Sequence, residues 1–284
     1  MTTKYFCGIS ALFLAILLAF TISATAHDDV NSHNIFKGMG DASRALMSKE
    51  GYGRSVFTLY VNLDVTIINE SGKKAKQEIA GKIGTAFIVR DDGFLLTNNH
   101  VIDAGKMRKE YSKKVRELYS TLAPPQRVTL RFKESYKAVD SSGVTFLVSV
   151  FKQSDSIDAA ILRFEKIDPS RKVFILEDES ESLFSPIAVP GSPLGIPNMI
   201  GFGHIARAAL DSACGDNKEE YLLFMSSLNP GNSGGPLYNL ETDKVNGMVT
   251  AYLLSNGGNS MISCAVPASS LIKFLDKNLP PRKG

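Results

Sequence analysis

The chain has 284 residues, of which 44% are hydrophobic and 21% charged, with 23 glycines, 12 prolines, 3 cysteines and no tryptophan. This composition is typical of a globular protein with a sizeable core, and it excludes collagen-like, low-complexity and wholly disordered chains. The net charge of +3 is too small for nucleic acid to be the expected main partner. Three cysteines are too few for a disulfide-dense scaffold.

The first segment has the pattern of an export signal. Lys4 precedes the apolar run ALFLAILLAF at 11–20, and small residues follow at 24–26 before a polar stretch. A positive start, an apolar middle and a small-residue cleavage site make up a secretory signal peptide. The alternative, a membrane anchor, needs about 20 apolar residues, and this run is shorter. We therefore predict that residues 1–26 are removed and that the protein is periplasmic or secreted, with membrane association not expected.

Export places the remaining two cysteines, Cys214 and Cys264, in an oxidising compartment. A single pair there can form one disulfide. Two separate buried thiols are the alternative that the sequence leaves open.

Residues 27–54 are polar and contain several glycines, and we predict that they form a leader before the folded domain. Short β-branched and aromatic runs separated by turn residues then occur over about 55–166 and again over about 185–266. Many short strands with few helices predict an all-β fold. Because a charged stretch separates the two sets, we predict two β-barrel subdomains.

Two helices are predicted beside the strands. In the insert at 103–125, apolar residues recur every three or four positions, as on one helix face. They are Met107, Tyr111, Val115, Leu118 and Leu122. The other face is basic, and we interpret it as solvated, with attraction of acidic partners or gating of a cleft as alternatives. A second helix is predicted over about 268–277, with Ser269 or Ser270 as its cap.

The strongest chemical signal is NPGNSGGPL at 229–237. A serine among glycines can lie on a tight turn whose backbone N–H groups converge on one point. Ser233 is therefore a candidate nucleophile, and the N–H groups of Gly231 and Ser233 are candidate donors to an oxyanion. Such a nucleophile needs a base and a group that orients the base.

The four histidines are the candidate bases: His27, His33, His100 and His204. The first two lie in the predicted leader, and the last lies within the second set of strands. His100 ends the strand-like run TNNHV, where a strand gives way to a turn. Asp158 opens the strand-like run DAAIL and is the candidate orienting acid, with Asp155 as the fallback. A purely structural role is the alternative for each.

Together, TNNHV, DAAIL and PGNSGGPL, in the order His, Asp, Ser, resemble the trypsin-like serine proteases, and within them the HtrA/Deg group of exported proteases. GTAFIV and GFLLTNNHV resemble the first-barrel strands of that group, AVPGSPLGIPNMIGFGHIARAAL resembles the opening of its second barrel, and ISCAVPASSLIKFL resembles its closing strand and helix. The resemblance covers residues 55–277. It implies a chymotrypsin-like double β-barrel over residues 55–284, with a C-terminal helix and a helical insert.

The resemblance also implies an activity, peptide-bond hydrolysis through an acyl-enzyme. Ser233 would be the nucleophile, His100 the base, and Asp158 the orienting group, with Gly231 and Ser233 as oxyanion donors. No metal or organic cofactor is implied. The substrates would be proteins or peptides, including damaged exported proteins, and a homo-oligomer is compatible with the group. The chain stops soon after the predicted terminal helix, so we expect no PDZ domain. The alternative function is a protease-fold binding or chaperone-like module with weak or latent catalysis.

In this fold the residue about six positions before the serine lies at the base of the primary pocket, here Ser227. The pocket walls would be Val249, Thr250 and Ala251. Because none of these residues is acidic, the resemblance predicts a preference for small or medium uncharged side chains.

Overall fold

The computed structural model describes residues 46, 48, 52–121, 127–166, 171–177, 183–197, 199–210, 214, 220–255 and 258–282. The predicted signal peptide at 1–26 lies outside the described residues, as does most of the predicted leader. Within the described ranges, no helix is long and apolar enough to cross a membrane.

Twelve strands are described, and they form two barrels. The first contains β1 (Val56–Asn69), β2 (Lys74–Arg90), β3 (Phe94–Thr97), β4 (Val128–Val139), β5 (Thr145–Gln153) and β6 (Ala160–Phe164). The second contains β7 (Pro186–Gly191), β8 (Met199–Leu210), β9 (Glu220–Ser226), β10 (Pro236–Asn239), β11 (Lys244–Ser255) and β12 (Gly258–Pro267). The strands follow the orders β1-β2-β3-β6-β5-β4 and β10-β11-β12-β9-β8-β7, and each sheet closes on itself. The prediction of an all-β fold with two barrels is confirmed.

Three apolar clusters explain why these strands close. Alternate residues of β1 point into the first barrel, where Leu59 and Val61 are fully buried. The second barrel has its own core around Phe224. The largest cluster joins the two barrels through Phe87 of the first and Tyr238 of the second. This shared core brings the ends of β3 and β6 toward the loop that precedes β10.

Three α-helices and a one-turn 3₁₀ helix (Pro193–Gly195) complete the described fold. The α-helices are α1 (Asn99–Ile102), α2 (Gly105–Ser120) and α3 (Ala268–Asn278). The predicted helical insert and C-terminal helix are therefore confirmed. In α2, Met107 and Tyr111 pack against the apolar cluster of Leu63 and Val65, but Leu118 is 62% exposed. The predicted apolar face is thus used mainly in the first half of the helix, and Leu122 lies outside the described residues.

The predicted cap of the last helix is wrong. The helix begins at Ala268, with Pro267 at the cap position and no side-chain hydrogen bond to cap it. Strand β12 continues to Pro267, so Ser269 and Ser270 fall inside the first turn instead of before it.

The segment that connects the barrels is fixed by a buried ion pair. Arg171 donates to the Asp140 carboxylate at 2.6 Å, and the two side chains are 2% and 0% exposed. Arg171 also donates to the Arg54 carbonyl and lies over the rings of Phe57 and Phe146. Burial tends to raise the pKa of Asp140, but hydrogen bonds from Arg171 and from the following turn hold that pKa below its ordinary value. The start of the connection is therefore held on the first barrel, whereas Ile175 and Glu177 form backbone hydrogen bonds to Val245 of β11 in the second.

Candidate active site

Strand pairing in the first barrel brings His100 and Asp158 together. Thr97 at the end of β3 pairs with Ala160 at the start of β6, so the residues just beyond these two ends are neighbours. Nδ1 of His100 lies 2.7 Å from Oδ2 of Asp158. The backbone N–H of His100 donates to Oδ1 at 3.0 Å. Both carboxylate oxygens of Asp158 are therefore engaged by one residue.

Two asparagines fix the relative positions of the segments that carry His100 and Asp158. Asn98 donates from its side chain to the Asp158 carbonyl at 2.8 Å, and Asn99 donates to the Ser154 carbonyl at 2.7 Å. These bonds tie the loop before β6 to the start of α1. Both asparagines stand beside His100 in the sequence, but their roles could not be predicted from it, because the carbonyls that accept their hydrogen bonds lie far along the chain.

The charge on Asp158 sets the state of the imidazole. Burial tends to raise the pKa of Asp158, but hydrogen bonds from His100 and Thr250 outweigh it and hold the pKa below its ordinary value. An ionised carboxylate only accepts hydrogen bonds, so Nδ1 of a neutral His100 carries the hydrogen and Nε2 has the free lone pair. The His100 side chain is 49% exposed, which leaves the ring accessible from the cleft.

Ser233 lies on a glycine turn between β9 and β10. The backbone of Gly231 and Gly234 has φ of +108° and +87°, a region that side-chain-bearing residues rarely adopt. A Cβ atom at Gly231 would collide with the Ser192 carbonyl, and one at Gly234 would collide with the Thr85 carbonyl. The turn that presents the serine therefore requires glycine at both positions.

The first barrel holds this turn in place through Thr85 of β2. The N–H of Thr85 donates to the Ser233 carbonyl at 2.8 Å, and its hydroxyl donates to the Gly231 carbonyl at 2.7 Å. On the far side, the Pro230 carbonyl accepts a hydrogen bond from the Leu194 N–H at 2.7 Å. Because a trans peptide is planar, the N–H of Gly231 points away from Leu194. In the described part of the chain, the N–H groups of Gly231 and Ser233 have no hydrogen-bond partner, which leaves them able to bind an anion.

The hydroxyl of Ser233 points to the second barrel. Its Oγ donates to the Thr250 carbonyl at 3.2 Å, and among the described residues no hydrogen bond joins it to His100. Thr250 also donates from Oγ1 to Oδ2 of Asp158 at 2.5 Å. Thr250, which the sequence predicted as a pocket wall, therefore contacts both Ser233 and Asp158. A hydroxyl on a buried strand position was the one signal that could have indicated this role.

A cavity of about 740 Å³ opens beside His100 and Asp158. Two of the four predicted pocket residues, Thr250 and Ala251, line it. Val249 is instead 2% exposed and packs in the core of the second barrel, since neighbouring residues of a strand face opposite sides. Ser227 is exposed and lies outside this cavity.

The other candidates take separate positions. Cys214 and Cys264 form a disulfide with their Cα atoms 6.1 Å apart, and Cys214 lines the cavity.

Asp155 is exposed in the cavity wall, and in the described structure it has no hydrogen bond to His100. His204 lies on β8 beside Phe184, whereas the two histidines of the predicted leader lie outside the described residues. No group of His, Cys, Asp and Glu that could hold a metal ion occurs within the described ranges.

A family model described as the trypsin-like peptidase domain matches residues 84–248, more than half of the chain. The chain belongs to the trypsin-like peptidase family. The matched range of this trypsin-like peptidase contains His100, Asp158 and Ser233.

Among curated proteins, the chain is similar to two named "Probable periplasmic serine endoprotease DegP-like". The protein from Rhizobium meliloti (strain 1021) is 28% identical over 189 residues, which is 66% of this chain and 31% of the relative. The protein from Chlamydia trachomatis serovar D is 28% identical over 198 residues, 68% of this chain and 33% of the relative. The trypsin-like peptidase thus spans about a third of the length of the curated relatives it matches.

Solved structures of an HtrA-type protease, AlgW, have the same fold. The complex with a decapeptide has a TM-score of 0.60 at 17% identity, and the match covers 84% of this chain and 67% of that one. The complex with a tripeptide has a TM-score of 0.57 at 18% identity, covering 83% and 62%. The resemblance to the trypsin-like and HtrA-type proteases is confirmed by these matches.

Proposed function

We propose that this trypsin-like peptidase is an exported serine endopeptidase that cleaves peptide bonds through an acyl-enzyme, with His100, Asp158 and Ser233 as its triad. The observation that carries the proposal is the double hydrogen bond between His100 and Asp158, at 2.7 and 3.0 Å. It sets the imidazole in the tautomer that a general base requires. The glycine turn presents Ser233 beside the same cleft.

In the first step, rotation about χ1 of Ser233 exchanges its bond to the Thr250 carbonyl for one to Nε2 of His100. Nε2 takes the hydroxyl proton while Oγ attacks the substrate carbonyl carbon. The carbonyl π electrons move to oxygen, and the N–H groups of Gly231 and Ser233 stabilise the resulting negative charge. Asp158 stabilises the imidazolium that forms.

In the second step, the tetrahedral intermediate collapses and the C–N bond breaks. His100 gives its proton to the departing amine nitrogen, which leaves the acyl group on Ser233. Water then attacks the ester, again with His100 as base, and collapse of the second intermediate returns the proton to Oγ of Ser233. The products are a carboxylic acid and an amine, and the triad is restored.

Protein or peptide substrates are supported by the similar AlgW structures, which are complexes with a tripeptide and a decapeptide. Export is supported by the periplasmic relatives and by the signal-peptide pattern at 1–26. Sequencing of the exported protein tests this part, because cleavage after Ala26 gives a chain that begins at His27. A homo-oligomer stays a prediction, which sedimentation of the purified protein would test.

A second candidate is a protease-fold binding or chaperone-like module with latent catalysis. The observation that favours it is the bond from Ser233 to the Thr250 carbonyl, which turns the nucleophile away from its base. Rotation of one side chain separates the two candidates, so direct labelling of the serine discriminates between them.

The experiment exposes the purified protein to a fluorophosphonate probe, with unfolded casein as a substrate and Ser233→Ala as the control. The endopeptidase labels and cleaves casein, and Ser233→Ala lowers turnover by about 10⁶ because the triad acts as a unit. Labelling without cleavage indicates a formed site with narrow specificity. Absence of labelling in the folded protein supports the binding module, and cleavage retained by Ser233→Ala refutes the assignment of the nucleophile.

A further inference from the structure

Helix α2 carries a positive charge larger than that of the whole chain. It contains six lysine and arginine residues against two glutamates, a net charge of +4. The whole chain has a net charge of +3, so the residues outside α2 have a net charge of −1. All six cations of the helix are exposed: Lys106, Arg108, Lys109, Lys113, Lys114 and Arg116. The excess positive charge of this protein is therefore concentrated on one helix.

The positions of these cations do not stabilise the helix itself. The helix dipole favours carboxylates in the first turn and cations in the last turn. In α2 the first turn contains Lys106 and Arg108 and no acidic residue, and the last turn contains no basic residue. Lys109 and Lys113 lie four positions apart, where like charges repel. The two lysine–glutamate pairs along the helix are long, at 4.0 and 3.9 Å. This pattern favours a role in binding over a role in helix stability.

Four of the six cations line a groove of about 580 Å³ between α2 and β4. They are Arg108, Lys109, Lys113 and Arg116, and Phe132 of β4 lines the groove with them. We call this the basic groove. Arg108 is paired with Glu134 of β4 at 3.2 Å, and Lys113 is paired with Glu117, the one carboxylate of the groove, at 3.9 Å. The lining is therefore positive overall and is shaped to enclose a ligand.

Contacts between the helix and the sheet preform the basic groove. The ring of Tyr111 packs edge-on against Phe132, with ring centroids 6.4 Å apart. The Tyr111 hydroxyl donates to the Gln77 side chain on β2 at 2.8 Å. None of the described ion pairs involves Lys109 or Arg116. The groove therefore presents two unpaired positive charges on a fixed support.

The basic groove follows the proposed base directly along the chain. His100 lies on α1, Asp103 lines the cavity beside the triad, and α2 begins at Gly105. Oδ1 of Asp103 accepts a hydrogen bond from the Gly105 N–H at 2.7 Å, which fixes the turn between the two helices. The eight residues from His100 to Arg108 span at most about 29 Å. A substrate segment of about nine extended residues is therefore long enough to join the cleft to the groove.

The shape of this surface favours an acidic polypeptide over a lipid membrane. Helices that lie on a membrane turn an apolar face toward the lipid. In α2 that face packs on the sheet, and Leu118 is the one large apolar residue of the helix that is exposed. From Arg108 to Arg116 the helix rises about 12 Å, the length of about four extended residues. A short acidic segment therefore matches the groove in both charge and length.

We propose that the basic groove is an exosite that binds an acidic segment of the protein substrate, about four residues long and within about nine residues of the cleaved bond. This inference rests on the proposed function, since it names a class of substrate for the same site. Binding in the groove raises the effective concentration of the cleavable segment beside the triad. The exosite therefore selects which proteins are cleaved without contacting the reacting atoms.

Internally quenched peptides test the proposal. The bond that the protein cleaves in casein defines a parent peptide, which is extended on either side by four acidic residues or by the corresponding amides, at spacings up to nine residues. We expect kcat/KM to be about tenfold higher for the acidic member of a pair, the effect of two or three exposed charge pairs. The gain lies in KM and not in kcat, because the extension touches no reacting atom. At about 0.5 M salt the ratio falls below about twofold, because salt screens exposed charges.

Charge reversal assigns this preference to the groove. In Arg116→Glu the acidic-to-amide ratio falls below about twofold, and in Arg116→Gln it falls to an intermediate value. The matched control is Lys114→Glu, the same change of charge at an exposed lysine of α2 that does not line the groove, and it retains most of the tenfold ratio. All three variants keep the wild-type melting temperature and cleave the amide peptides at the wild-type rate.

Fluorescence anisotropy of the acidic and amide segments alone, with Ser233→Ala as the receptor, separates this inference from the proposed function. Binding of the acidic segment that requires Arg116, without cleavage of casein by the wild-type protein, refutes the endopeptidase and supports the groove. Equal cleavage of both members of every pair, or a preference that Arg116→Glu leaves intact, overturns the exosite and supports the endopeptidase. Binding to phosphatidylglycerol vesicles through Arg116, without binding of the acidic segment, overturns the exosite in favour of a lipid surface. Absence of both cleavage and acidic-segment binding refutes both proposals.

Discussion

The substitution Asp158→Asn tests the tautomer argument directly. Three donors point at the two carboxylate oxygens: His100 N–H at Oδ1, and Nδ1 of His100 with the Thr250 hydroxyl at Oδ2. An amide has only one oxygen. The backbone N–H of His100 cannot become an acceptor, so the amide oxygen takes the Oδ1 position and the NH₂ group faces Nδ1. Nδ1 must then accept a hydrogen bond, and the hydrogen of the neutral ring moves to Nε2.

A ring protonated at Nε2 cannot take the proton of Ser233. We therefore expect kcat to fall by about 10⁴, which corresponds to about 5 kcal/mol of transition-state stabilisation. Cleavage of a quenched peptide at saturating concentration measures kcat, and an unchanged melting temperature establishes that the variant is folded. Asp155→Asn is the matched control, because Asp155 is an exposed carboxylate in the same loop. Near-normal kcat in Asp158→Asn, or the same loss in Asp155→Asn, refutes the argument.

Three further outcomes follow from contacts around the site and the connection. Thr250→Val removes the 2.5 Å hydrogen bond to Asp158, so kcat should fall about tenfold, whereas Thr250→Ser should retain activity in the same assay. Cys264→Ser opens a disulfide that spans 50 residues and should lower the free energy of unfolding by about 4 kcal/mol, as measured in urea. The carboxyl of Asp140 has a lowered pKa in the folded state. Its contribution to stability is complete above the ordinary aspartate pKa of about 3.9 and is lost as the pH falls through the folded value. Arg171→Met leaves that carboxylate buried without its positively charged partner and should cost about 3–5 kcal/mol at pH 7. Most of this loss should be recovered in the double variant with Asp140→Leu, and an unchanged stability in Arg171→Met alone would contradict the account.

The sequence predicts the fold well because its signals are local. Strand-like runs and turn residues repeat along the chain, and each barrel strand pairs largely with neighbours in sequence. The three motifs around His100, Asp158 and Ser233 combine specific residue types with a recognisable order. The error at the last helix is also local, since two serines near its start suggested a cap two or three residues too late.

Contacts between distant segments could not be predicted in the same way. Thr250 lies 92 residues from Asp158, and no pattern in a single sequence indicates that their side chains meet. Val249 and Thr250 are neighbours on β11, and only the orientation of the strand decides which of them faces the cleft. The direction of the Ser233 hydroxyl depends on one side-chain torsion, which residue types do not determine.

The hydrogen bonds from Thr85 to the serine turn couple the assembly of the site to the assembly of the whole domain. His100 and Asp158 belong to the first barrel, whereas Ser233 and Thr250 belong to the second. Because the first barrel fixes the serine turn through Thr85, the proposed triad is complete only when both barrels have folded and packed together. An incompletely folded copy would hold half of the residues and could attack neither itself nor the unfolded chains around it.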